Sequence, residues 1–196
     1  MRIAIVGNIA SGKSEVEKII SSLNFPVLDT DKVAHKLLDN SIEIQDEFQN
    51  FDVFERNKVS REKLGKIVFS DKKMKKKLEN ILHPKIRVEI NNFLNKNYNK
   101  MAFVSVPLLF EAGMEDLFDT IIFVYADDTI RLQRLITRNG YTRDYAIQRI
   151  NSQQNQEEKI RKSDFVIYND STLEELNKNV AKILKQLQEN HFPSDF

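Results

Sequence analysis

The chain has 196 residues, enough for one domain that buries most of its apolar surface, or for one domain carrying an inserted helical piece. Its 41% hydrophobic and 30% charged residues exclude a disordered chain, and the lack of cysteine excludes disulfides, thiolate zinc sites and cysteine nucleophiles. The net charge of +1 gives no global field for nucleic acid or an anionic membrane, and no window reaches the roughly 18 apolar residues of a spanning helix. The run Met1–Gly7 is too short for a signal peptide, so the expected location is the cytoplasm.

In chain order, Ile3–Val6 is a continuous apolar run ended by Gly7, as in a parallel strand buried on both faces. Lys13–Leu23 follows as a helix with Val16, Ile19, Ile20 and Leu23 on one face. Pro26–Leu28 is a second strand, followed by Asp29 and Asp31 and a helix over Thr30–Leu38. From Ser41 to Asn99 the pattern gives helices and no strand. Ser60 opens one, Asp71 caps the basic run behind it, and Pro84 stands as the first residue of a helix ending near Asn97. The lysines among Lys72–Lys77 read as a solvated face, because Met74, Leu78 and Ile81 give the same helix a buried one.

Met101–Val106 and Thr120–Tyr125 are the third and fourth strands. Asp127 and Asp128 open a helix reaching Arg138, Asn139-Gly140 is a turn, and a helix runs from Thr142 to Gln153. Asp164–Tyr168 is the fifth strand. Ser171 with Glu174 forms a capping box for a last helix to Gln188, with a frayed tail to Phe196. Five apolar strands alternating with helices predict an α/β fold, a five-stranded parallel sheet with helices on both faces. The stretch 41–99 is read as a helical insertion, the core as 1–40 and 100–196, and a helical lid as about 127–162.

Gly7-Asn8-Ile9-Ala10-Ser11-Gly12-Lys13-Ser14 fits G-x-x-x-x-G-K-[ST] at every fixed position, between an apolar strand and an amphipathic helix. Two of the chain's five glycines fall in it, so chance is a weak explanation. Glycine lets the backbone approach phosphate, successive N–H groups form an anion nest, and the helix N-terminus adds positive charge. Gly7, Ala10, Ser11, Gly12, Lys13, Ser14 and Glu15 are thus the expected ATP-binding residues, with Lys13 on the β- and γ-phosphates and the Ser14 hydroxyl on Mg²⁺.

A P-loop alone does not separate a kinase from a switch or a motor. Arg131, Arg134 and Arg138 share one helix face, and Arg143 and Arg149 follow the turn, which suits a lid that closes over ATP. A solvated charged face fits the same spacing. Asp29 or Asp31 suits proton acceptance from an attacking hydroxyl, the other suiting a helix cap. His83 and Arg87, one turn apart, suit an anionic substrate group, although a histidine before proline is more often structural.

Together these segments resemble the dephospho-CoA kinase family over almost the whole chain. The matching stretches are Gly7–Ser14, Val27–Asp31, His83-Pro84 with Arg87, Val106–Glu111, Arg134 and Arg138, Arg149 with Gln153, and Asp164–Asn169. The resemblance implies a nucleoside-monophosphate-kinase-like P-loop fold. It also implies transfer of phosphate from ATP to the 3′-hydroxyl of the dephospho-CoA ribose, the last step of coenzyme A synthesis. It implies Asp31 as the catalytic aspartate, Arg138 as a lid arginine, and His83, Arg87, Leu108, Leu109 and Glu111 along the acceptor groove. The helices over 41–99 would form most of the CoA region. Many members carry an acidic residue two places before Pro107, where this chain has Ser105, and often threonine at the position of Glu15. The rival readings are a kinase for another metabolite and a GTPase-like switch. No guanine-specifying N-K-x-D sequence is present.

Overall fold

The computed structural model describes residues 1–55 and 58–191. Two compact units emerge, one of residues 1–28 and 94–196 and one of residues 29–93.

The first unit is built on β1 (Arg2–Gly7), β5 (Ala102–Ser105), β6 (Thr120–Tyr125) and β7 (Phe165–Tyr168), with β2 (Val27–Asp29) completing a five-stranded sheet in the order β2-β5-β1-β6-β7. The sheet is parallel. Ile3 faces Phe103 on one side and Thr120 on the other, and Ile122 faces Phe165. Alternate residues explain the continuous apolar runs. Ile3, Ile5, Phe103, Ile122 and Val124 pack against Val16, Ile19 and Ile20 of α1 (Lys13–Ser22) and Leu176, Val180, Ile183 and Leu187 of α9 (Leu173–His191). Ala4, Val6, Val104 and Phe123 point to the opposite face and are equally buried. A sheet covered on both faces is the expected α/β architecture.

The second unit has its own core of Ile44, Phe48, Val53, Val59, Leu64 and Leu82. It holds α2 (Thr30–Asn40), α3 (Ile42–Phe48), α4 (Arg61–Ser70) and most of α5 (Lys72–Lys96). Two expectations fail here. The stretch is not purely helical, because β3 (Phe54–Glu55) and β4 (Lys58–Val59) pair antiparallel, Phe54 opposite Val59. Strands of two residues leave no alternation to read. Pro84 does not begin a helix either. It lies inside α5, whose apolar stripe of Met74, Leu78, Ile81, Leu82 and Ile86 runs past the proline in unbroken phase. Burial of that stripe outweighs the roughly 3 kcal/mol that an interior proline costs.

Smaller differences lie at helix ends. Asp71 caps as expected, accepting from Lys73 N at 2.7 Å. The last helix is capped one residue later than read: Thr172 Oγ1 accepts from Glu175 N at 3.3 Å, so Ser171 is not the cap. The expected frayed tail lies outside the described residues beyond His191. Between β6 and β7 stand α6 (Asp128–Asn139), α7 (Arg143–Asn151) and a further helix not read from sequence, α8 (Gln156–Arg161).

Candidate active site

β1 ends at Gly7 and α1 begins at Lys13, so the intervening loop caps the sheet at the carboxyl end of its central strand. Gly12 is the N-cap of α1 in the left-handed region, φ +93°, and no side chain caps the helix. Glu15 N and Val16 N donate to Gly12 O at 2.9 and 3.2 Å, so the helix start offers an anion the N–H groups ahead of them. A Cβ at Gly12 would stand 1.9 Å from Asn169 Nδ2, and one at Gly7 would stand 2.6 Å from Ser11 Oγ. A side chain at Gly7 would also crowd the backbone at Val124 O, 3.1 Å away, and Gly12 is required by its backbone conformation. Ala10 also has positive φ, +62°. The Ser11 hydroxyl is buried and has no hydrogen-bond partner.

The loop is held from behind. Asn169 Nδ2 donates to Ser11 O at 2.7 Å. Gln153 Oε1 accepts from Ile9 N at 2.7 Å, and Asn8 Nδ2 donates to Gln154 O at 2.9 Å. Arg131, 1% exposed, donates from Nε to Ile9 O at 2.9 Å and pairs with Asp128 at 2.7 Å. Burial pulls the Arg131 guanidinium below its ordinary value while Asp128 opposes the shift. Arg134 donates to Ala10 O, Ser11 O and Asn169 O at 3.1, 3.3 and 2.9 Å. The three arginines therefore do not form one phosphate-facing row. Two turns of helix separate the buried Arg131 end, which braces loop carbonyls, from exposed Arg138, whose Nε donates to its neighbour Asn139 at 3.1 Å.

Lys13 Nζ lies 2.9 Å from Glu17 Oε1, one turn along α1, and donates to Ser105 Oγ at the end of β5. Ser105 Oγ in turn donates to Glu17 Oε1 at 2.6 Å. Just beyond, Leu108 is 44% exposed, whereas the Leu109 side chain is fully buried and packs as core. Glu111 binds Lys159 of α8 at 2.8 Å, and Lys162 lies over the Phe110 ring. The segment after β5 is thereby tied to the helices after β6.

The second unit carries the other expected residues. Asp29 is the N-cap of α2, its Oδ1 accepting from Asp31 N at 3.0 Å and Lys32 N at 3.4 Å. Asp31 sits in the first turn of the same helix. His83 and Arg87 stand one turn apart in α5, both half-buried. Burial holds the His83 imidazole below its ordinary 6.5, Glu79 opposing the shift and Lys76 adding to it.

With this geometry in place, comparison with known proteins is decisive: the family model for dephospho-CoA kinase (CoaE) matches residues 1–175. The chain belongs to the dephospho-CoA kinase family. The family is one of ATP-dependent kinases, which are transferases, and the chain has a P-loop kinase fold. A dephospho-CoA kinase of Listeria innocua is 36% identical over 195 residues, covering 96% of this chain and 98% of that one. The structure of a dephospho-CoA kinase from Campylobacter jejuni is 33% identical, with a TM-score of 0.75 and coverage of 97% and 98%. A Thermus thermophilus structure superposes with a TM-score of 0.84 at 32% identity, covering 95% of this chain and 97% of that one.

Against the dephospho-CoA kinase pattern, the sequence reading missed the loop's supports. Arg131, Asn169 and Gln153 act through loop backbone, and that contact spans 122 to 158 residues of sequence. Glu17 was missed as well. Its spacing of four from Lys13 was visible, but an acidic residue in a helix usually reads as solvated.

Proposed function

We propose that the protein transfers the γ-phosphate of ATP to the 3′-hydroxyl of the ribose of dephospho-CoA, in the cytoplasm. The observation that carries this reading is the braced loop Gly7–Ser14, with an uncapped helix N-terminus and an ammonium at its rim, in a chain of the dephospho-CoA kinase family. Backbone N–H groups of Ala10, Gly12 and Ser14 cradle the phosphates, Ser11 N and Glu15 N shape the loop by donating to Asn8 O and Gly12 O at 3.0 and 2.9 Å, and Lys13 neutralises charge on the transferring group.

Mg²⁺ dehydrates reluctantly and takes much of its ligation from water and the nucleotide phosphates. Ser14 is the side chain in the loop suited to it, and the ion would spread charge between the β- and γ-phosphates. Asp31 accepts the proton of the attacking hydroxyl. What supports it over Asp29 is that Asp29 already caps α2, together with the family pattern. Arg138, exposed at the end of α6, is the proposed lid arginine that reaches phosphate, and closure of the lid would exclude water. His83, Arg87, Leu108 and Glu111 are the proposed acceptor contacts. Leu109, fully buried, contributes packing within its own unit, and residues 41–99 are the proposed CoA region.

Among the described residues no helix is long and apolar enough to cross a membrane. Acceptor choice tests the proposal. With ATP and Mg²⁺, dephospho-CoA should release ADP and yield a product bearing a new 3′-phosphate. Equal or faster ADP release with shikimate, gluconate or a nucleoside monophosphate would reassign the substrate.

A further inference from the structure

A buried carboxylate stands inside the cradle and has no part in the mechanism above. Glu17 lies on the face of α1 that packs on the sheet, beside Val16, Ile19 and Ile20, and is 8% exposed. A carboxylate there is costly unless it is paired, and its partners are specific. Glu17 Oε1 takes the Lys13 ammonium at 2.9 Å and the Ser105 hydroxyl at 2.6 Å, while Lys13 also donates to Ser105. Two side chains of α1 and one from the end of β5 thus close a ring around the charge that must meet the γ-phosphate.

Lysine is a point charge on a flexible four-carbon stem, and it gives useful stabilisation only where its ammonium is already in place. We propose that Glu17 is a positioning residue for phosphoryl transfer, aiming Lys13 by a direct ion pair and through Ser105. An ammonium has three N–H donors, so Lys13 can keep its contact with Glu17 while the others turn to phosphate oxygens. The loop N–H groups that bind nucleotide do not depend on Glu17. Its removal therefore acts on transfer more than on binding. The inference rests on the phosphoryl-transfer reading of the site, not on the identity of the acceptor.

The test compares wild type, Glu17→Gln, Glu17→Ala and the double variant Glu17→Ala/Ser105→Asp. Each is assayed for ADP release with dephospho-CoA, for slow ATP hydrolysis without acceptor, for ATP affinity by calorimetry, and for its melting curve. Glu17→Gln keeps shape and loses charge, so it carries the comparison if the alanine variant does not fold. The expected result is a fall in kcat of about tenfold or more, with ATP affinity within about threefold of wild type, the split that marks lost transition-state stabilisation. Aspartate at position 105 returns a carboxylate to the ring and should recover most of the loss. A purely structural ion pair would lower the melting temperature and leave kcat intact. That result, or a double variant no better than Glu17→Ala, overturns the proposal. If dephospho-CoA proves not to be the acceptor, the hydrolysis rates still decide the role of Glu17.

Discussion

At the scale of single residues, the site separates groups that shape the loop from groups free to meet phosphate. Arg134 and Arg138 lie one turn apart on α6, yet Arg134 holds two loop carbonyls and that of Asn169 while Arg138 is in solvent. Alanine at 134 strips charge-assisted hydrogen bonds and should destabilise the fold by about 2–3 kcal/mol, visible in denaturant unfolding. Alanine at 138 should leave stability within about 0.5 kcal/mol and lower kcat by about a hundredfold. Equal stability losses in the two variants would contradict this division. The P-loop was legible because its chemistry is local: eight consecutive residues carry the glycines, the lysine and the serine. Its supports were not, because Asn169 and Arg131 reach it from two other elements of the folded chain.

At the scale of elements, apolar runs identified all five strands of the sheet, since strands buried on both faces write a continuous signal. Signals that are short or contradicted by packing were misread. The hairpin β3–β4 has two residues in each strand, and Pro84 marked a helix start where the buried stripe of α5 overrides it. That override is measurable. Pro84 is exposed, so Pro84→Ala should restore the hydrogen bond to the carbonyl of Asn80 and raise unfolding free energy by about 1–3 kcal/mol. A loss of stability would mean that the proline shapes the helix rather than straining it.

The histidine before it gives α5 a pH dependence. The folded pKa of His83 lies below 6.5, so the unfolded chain binds the proton more readily. Its contribution to stability is complete above about pH 6.5 and is lost as pH falls toward the folded value. Melting temperatures of wild type and His83→Gln should keep a constant difference above neutrality, and the wild type should lose ground as pH falls below about 6.5. Parallel profiles across that range would rule the effect out.

At the scale of the whole molecule, the chain is two compact units with separate cores. The first carries the phosphate cradle, Lys13 and Arg138, and the second carries Asp31. Length and composition could indicate an insertion. They could not say that α2, with Asp31 in its first turn, belongs to the inserted unit rather than to the sheet. Nucleotide binding and proton acceptance are assigned to different residues, and one variant separates them. In Asp31→Asn, ATP affinity measured by calorimetry should match wild type, while kcat with dephospho-CoA falls by about 10²–10⁴-fold. Near-normal turnover in that variant, or loss of ATP binding along with turnover, would contradict the account.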